Sequence, residues 1–181
     1  MPGARYKSFE SRSEAEIAYA GSSFDFIGKD KKVKPILSEE SLKKYGAPIA
    51  DSIVVDGAWN TATGDIEYKG VYLKTGEELF RKGPYKDGTN NIAEFLAIVH
   101  ALAFCKNRNL NLPVYSDSRN AIGWVRQKKA KTNHKPSHKN KELFELLARG
   151  EKWLHDNPFS NKVLKWETKA WGENPADFGR K

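Results

Sequence analysis

Residues 89–105 read TNNIAEFLAIVHALAFC, and within this stretch the spacing of apolar residues changes from two to 3.6. Ile92, Phe95, Leu96, Val99 and Leu102 recur at helical spacing, and Asn90 or Asn91 is available as N-cap. Upstream the pattern is that of strands. SIVVDGAWN (52–60) is a β-branched run that stops at Asp56-Gly57, as a buried strand ending in a loop should. IEYKGVYLKTGEELFRKGPY (66–85) contains two alternating segments around Thr75-Gly76, which reads as a hairpin. Downstream, LPVYSDS (112–118) is a short fourth strand ending at Asp117, and RNAIGWVRQKK (119–129) and NKELFELLARGEKWLHDN (140–157) read as helices. KVLKWET (162–168) is a last strand before a tail. The order βββαβααβ predicts an α/β domain with a mixed sheet.

The chain has 181 residues, enough for one domain with a real core and an appendage. A formal charge of +8 favours polyanionic partners, with nucleic acid the leading class. Cys105 has no second cysteine to pair with and lies in an apolar helical pattern, which suits a buried side chain and a reducing cytoplasm. No stretch approaches the roughly eighteen apolar residues of a membrane span, and the N-terminus lacks the apolar core of an export signal. A soluble, cytoplasmic monomer is expected.

Residues 4–20, ARYKSFESRSEAEIAYA, read as a short strand and a helix too small to fold alone. Residues 21–48 mix Gly, Pro and charge without sustained periodicity and read as a linker, although SEESLKKYG has room for a helical turn or two. The folded domain is expected over 49–181.

Three acids fall at informative places: Asp56 at the end of the first strand, Glu94 in the first turn of the helix, and Asp117 at the end of the fourth strand. Each alone has a bland reading, as a turn former, a helix N-terminal acid or a cap. Strands adjacent in one sheet can bring such ends together, and a helix packed on that sheet can aim a glutamate at the same point. Clustered carboxylates resist joint ionisation unless a hard cation neutralises them, and an all-oxygen donor set suits Mg²⁺ or Mn²⁺. The closing stretch WETKAWGENPADFGRK (166–181) adds Glu173 and Asp177, four residues apart, whose bland reading is a solvated tail.

VVDGAWN (54–60), GTNNIAEFLAIVHAL (88–102), VYSDS (114–118) and the closing stretch, in this order, resemble the four acidic motifs of type 1 ribonuclease H. The resemblance spans residues 49–181 and implies a ribonuclease H-like five-stranded mixed sheet with helices on both faces. It implies an endoribonuclease that hydrolyses the RNA strand of RNA/DNA hybrids and leaves 5′-phosphate and 3′-hydroxyl ends. Asp56, Glu94, Asp117 and Asp177 would be its metal-binding acids. Two Mg²⁺ about 4 Å apart, with Mn²⁺ as substitute, can clamp an in-line displacement. Many bacterial members carry a histidine before the last Asp, but this chain has none after His155; Glu173 stands there, as in a subset of members.

By the same resemblance Asn90 would meet RNA 2′-hydroxyls, and Thr89, Asn91, Thr132 and Asn133 a DNA phosphate. Hydroxyl contacts of this kind are how a protein tells RNA from DNA. Thr168 would touch substrate and Trp124 would stand beside the DNA strand, although helix capping explains the first group and core packing explains Trp124 equally well. The lysines of QKKAKTNHKPSHKNK (127–141) form either a solvated face or a grip on phosphates. His134 and His138 lack partners for a zinc site and read as loop residues, and His100 reads as structural. Trp166 and Trp171 should pack around the last strand. GARYKSF (3–9) resembles the second half of a hybrid-binding module, with Tyr6 and Lys7 as its duplex contacts. A catalytically silent hybrid-binding module and a transposase- or integrase-like enzyme are the competing readings. The complete set of acids disfavours the first, and the lack of long insertions the second.

Overall fold

A computed structural model describes residues 39–179. After a first helix α1 (Glu39–Tyr45) come strands β1 (Ile53–Trp59), β2 (Ile66–Tyr72) and β3 (Glu77–Tyr85), the long helix α2 (Asn90–Asn107) and strand β4 (Val114–Ser116). Helices α3 (Arg119–Arg126) and α4 (Lys141–Asp156), strand β5 (Val163–Lys165) and a single-turn helix α5 (Thr168–Trp171) complete the described chain. The five strands form one sheet in the order β3-β2-β1-β4-β5. β1, β2 and β3 are antiparallel, whereas β4 and β5 join parallel to β1 and β4. The expected five-stranded mixed sheet is therefore present, with the hairpin turn closing at Gly76, whose φ of 76° suits a residue without Cβ.

Alternation along β1 divides the core. Ile53 and Val55 face the larger cluster with Phe95, Ile98, Leu102, Leu143 and Leu154 of α2 and α4, while Val54 faces a second cluster with Tyr115, Trp166, Ala170 and Trp171. Helices thus cover both faces of the sheet. α2 is buried on nearly every side from Ile92 to Val99, because the sheet lies on one side of it and α3 and α4 on the other. Cys105 is buried in the same cluster, and His100 stacks on Phe80 with ring centroids 4.2 Å apart. Burial, helped by Lys82, pushes the half-buried His100 imidazole down to about 4, so it is neutral and packs on the core as a structural residue.

Three local expectations are corrected. α2 starts at Asn90 with Thr89 as its N-cap, one residue earlier than the asparagines suggested. Glu94 consequently stands in the second turn, where attraction to the helix N-terminus no longer accounts for it. β5 ends at Lys165, because Trp166 turns into the second core cluster while its N–H still donates to the Ser116 carbonyl at 2.9 Å; Thr168 then opens α5. β1 does not stop at Asp56-Gly57 but runs on to Trp59, because Gly57, Ala58 and Trp59 keep pairing with Tyr68, Glu67 and Ile66 of β2, so Asp56 stands in mid-strand. The room for a helical turn or two in SEESLKKYG is filled by α1, and the Gly46 carbonyl accepts a 2.8 Å hydrogen bond from Trp171 Nε1.

Candidate active site

The β1–β4 pairing, with Val54 opposite Tyr115, brings the middle of β1 beside the end of the parallel strand β4. Asp56 lies two residues beyond Val54 within β1, and Asp117 two residues beyond Tyr115, just past the end of β4, so sheet register makes them neighbours. Glu94 joins them because α2 approaches β1 at a glycine. A Cβ on Gly57 would fall 2.6 Å from the Glu94 backbone nitrogen, so only glycine permits this approach. Carboxylate oxygens of Asp56, Glu94 and Asp117 all lie within 4.8 Å of one another. Asp56 and Glu94 are buried, with 6% and 4% of their surface exposed.

The neighbours hold the glutamate in place. Ser116 Oγ donates to Glu94 Oε2 and Asn90 Nδ2 to Glu94 Oε1, both at 3.4 Å. Ser116 Oγ also accepts from the Ser118 backbone N–H at 3.2 Å, which ties the turn after β4 to the same group. Burial raises the Glu94 carboxyl well above the ordinary range, and the charges of Asp56 and Asp117 raise it further. Asp56 is raised by burial first and then by Asp117 and Asp177. Protein groups alone therefore leave negative charge in the cluster uncompensated.

Asp117 Oδ1 is buried and, among the described residues, has no hydrogen-bond partner. An orphaned buried acceptor beside two further carboxylates is what a hard divalent cation requires, and an all-oxygen donor set suits Mg²⁺ or Mn²⁺ and not a thiophilic metal. The residues present fit such an ion.

The cleft around the acids, of about 200 Å³, is also lined by Trp59, Asn90, Thr168, Glu173, Asn174, Asp177 and Phe178. Both tail acids and two of the expected substrate residues, Asn90 and Thr168, thus meet at one place. Glu173 is exposed at the cleft rim. Thr89, Asn91, Trp124, Thr132 and Asn133 are not among the residues lining this cleft. Trp124 is half-buried with its ring edge-on to Phe95, 6.1 Å between centroids. Tyr6 and Lys7 lie outside the described residues.

The segment carrying Thr132 and Asn133 is fastened to the loop before α2. His134 Nε2 is 2.8 Å from the Asp87 carbonyl, Asn140 Nδ2 donates to Asp87 Oδ2 at 3.0 Å, and Ser137 Oγ donates to the same carboxylate oxygen at 3.2 Å. His134 and Asn140 are thus structural partners of Asp87, and His138 is exposed. Thr89 and Asn91 come two and four residues after Asp87, so one clasp holds both segments expected to meet a DNA phosphate.

Sequence reasoning missed four contributors: Gly57, Ser116, Trp59 and Asn174. The Asn-Pro step at 174–175 was a readable turn signal. A serine inside a buried strand and an exposed aromatic after a strand carry no comparable signal.

Residues 50–157 match the family model for RNase H. A ribonuclease H from Clostridium botulinum is 37% identical over 142 residues, covering 67% of this chain and 95% of its own length. A ribonuclease H from Acetivibrio thermocellus is 30% identical over 135 residues, covering 65% and 91%. Among solved structures, LC11-RNase H1 isolated from compost aligns with a TM-score of 0.43 at 20% identity, over 66% of this chain and 89% of that one. The family match, spanning the strands and the helix that supply three of the clustered acids, shows that this chain belongs to the ribonuclease H family of nucleases.

Proposed function

We propose that the chain is an endoribonuclease that hydrolyses the RNA strand of RNA/DNA hybrids by two-metal-ion catalysis, leaving 5′-phosphate and 3′-hydroxyl ends. The observation that carries this reading is the convergence of Asp56, Glu94 and Asp117 oxygens within 4.8 Å, in a cleft that Asp177 also lines. These four acids would hold two Mg²⁺, with Mn²⁺ as substitute. When bound, the ions supply activation of the attacking water and neutralisation of charge on the departing 3′ oxygen.

The chain's own residues then divide the remaining work. Ser116 and Asn90 orient the Glu94 carboxylate, so its oxygens are presented without a search through rotamers. Glu173, at the cleft rim on the irregular backbone after α5, would act on turnover, by assisting product departure. Asn90, lining the same cleft, is positioned to meet a 2′-hydroxyl and so to select RNA. Thr89, Asn91, Thr132 and Asn133 would hold a DNA phosphate, with Thr168 and Trp124 as further contacts. The net charge of +8 would supply salt-dependent affinity for the duplex. For the chain as a whole we assign 49–181 to catalysis, 21–48 to a linker and 1–20, with Tyr6 and Lys7, to an accessory hybrid contact.

The test is to incubate the full chain with Mg²⁺ and end-labelled RNA/DNA hybrid, duplex DNA, duplex RNA and single-stranded RNA. Cleavage of the hybrid alone, giving products that ligate without prior phosphorylation, is the expected result. Binding without cutting would favour a silent hybrid-binding module, and cutting or joining of duplex DNA a transposase-like enzyme.

No helix among the described residues is long and apolar enough to cross a membrane.

A further inference from the structure

Asp56 and Glu94 stand on regular elements and Asp117 directly follows β4, but Asp177 follows α5 on irregular backbone, where neither a strand nor a helix holds it. It approaches carboxylates that repel it. We propose that Asn174 and Phe178 are positioning residues that pin the tail at two points and so hold Asp177 beside Asp56. The inference deepens the proposed metal-dependent activity and rests on it for the role of Asp177.

The first pin is Asn174, which is 5% exposed. Its Nδ2 donates 2.9 Å to the carbonyl of Val55, the residue before Asp56 and the first in β1 beyond the paired register with β4. Its Oδ1 accepts from the Ala176 N–H, and its backbone carbonyl from the Asp177 N–H, both at 2.8 Å. One side chain therefore closes the turn that carries Asp177 and ties that turn to the strand that carries Asp56. Pro175 between them removes a backbone freedom the turn would otherwise have.

The second pin is the Phe178 ring, with Lys69 Nζ 4.8 Å and the Arg81 guanidinium carbon 5.1 Å from its centroid. Lys69 lies directly opposite Asp56 in the β1–β2 ladder and opposite Arg81 in the β2–β3 ladder. Directly opposed residues in an antiparallel ladder project to the same face. Asp56, Lys69 and Arg81 thus form one row across the sheet, and the tail lies along it, its aromatic ring on the two cations. Arg81 is itself held by Glu78, Nη2 to Oε2 at 2.7 Å and Nε to Oε1 at 3.1 Å. Asp177 is fixed three residues before itself and one after. Its distance from Asp56 is then set by sheet register and hydrogen bonds, which oppose the mutual repulsion of the acids.

The test uses the full chain with Asn174→Leu, which keeps the branched side-chain shape without its hydrogen bonds, Phe178→Ala, and the aromatic control Phe178→Trp. Mn²⁺ affinity is measured by titration calorimetry without nucleic acid. Single-turnover cleavage is followed against Mg²⁺ concentration, and hybrid affinity is measured in Ca²⁺. Asn174→Leu and Phe178→Ala should bind Mn²⁺ about 10-fold more weakly and need correspondingly more Mg²⁺, with hybrid affinity nearly unchanged. Phe178→Trp should restore both. Wild-type Mn²⁺ affinity and Mg²⁺ dependence in both variants would overturn the proposal, even with a lowered melting temperature. If Asn174→Leu fails to fold, Phe178→Ala decides, because its ring is only half-buried. A wild-type chain that binds Mn²⁺ yet leaves the hybrid intact would refute the proposed function and not the positioning; a cutting wild type with indifferent variants would refute the positioning alone.

Discussion

Gly57 of β1 lies against the backbone of Glu94 so closely that a Cβ at 57 would come within 2.6 Å of the Glu94 nitrogen and 2.7 Å of the Ala93 Cβ. The contact sets how near α2 approaches the strand that carries Asp56. Gly57→Ala must push helix and strand apart or distort both, and overpacking of a filled core costs about 1–3 kcal/mol. The expected outcome is a lower melting temperature together with a loss of cleavage on the order of 10²-fold, because displacement of one acid by about an ångström is enough. Thermal denaturation and single-turnover assays on the same preparation check it; unchanged cleavage would show that the approach of α2 does not set the acid cluster.

Asp56→Asn should abolish cleavage and leave hybrid binding in place, since it removes charge that recruits the metal without touching the basic surface. It should also stabilise the metal-free protein in a pH-dependent way. The folded-state pKa of Asp56 is raised above its unfolded value by burial, Asp117 and Asp177. Its contribution to stability is therefore fully present below the unfolded carboxylate pKa and is lost as pH rises through the raised one. In EDTA the variant should melt a few degrees above wild type at pH 8, on the scale of about 2–4 °C per kcal/mol, and the gap should narrow at pH 5, on its way to closing below the unfolded carboxylate pKa. A gap of equal size at both pH values would refute the charge argument.

Asp177 and Glu173 should separate kinetically. Asp177→Asn removes a cleft-lining group whose charge acts on Asp56 and should lower single-turnover rate and metal affinity together. Glu173→Gln removes a group at the rim and should appear mainly as slower multiple turnover. Equal single-turnover rates for Asp177→Asn and wild type at saturating Mg²⁺ would return both acids to a solvated tail.

The Asp87 clasp predicts a variant of the opposite kind. Asp87 has a φ of 48°, so Asp87→Gly keeps the backbone comfortable while removing the carboxylate that receives Ser137 and Asn140. Loosening the loop of Thr132 and Asn133 from that of Thr89 and Asn91 should weaken hybrid binding by roughly 5- to 30-fold, the scale of one or two lost hydrogen bonds. The cleavage rate at saturating hybrid should be retained. Fluorescence anisotropy with Ca²⁺ in place of Mg²⁺ measures the first, and a drop in saturated rate with intact affinity would contradict the assignment.

The alternation in 52–85, the change to helical spacing at Ile92, and the order of the acids Asp56, Glu94, Asp117 and Asp177 were legible in the sequence. Apolar periodicity reports which face of an element is buried, and it delimits the elements on or beside which Asp56, Glu94 and Asp117 stand. The two tryptophans were legible for the same reason. The chain's spacing could not show that Glu94 lies in the second turn, that β5 stops at Lys165, or that Gly57 is the point of contact between strand and helix. Those depend on where one element touches another. Asn174 is the clearest case: its Asn-Pro step announces a turn locally, but the carbonyl it holds belongs to a residue 119 positions earlier. The row of Asp56, Lys69 and Arg81 likewise exists only through the register of two strand pairings. The sequence determined the elements and the chemical identity of the site, because both follow from local pattern and residue type. Tertiary structure alone decided the distances between the acids, because these are set by hydrogen bonds and steric contacts between segments far apart in the chain.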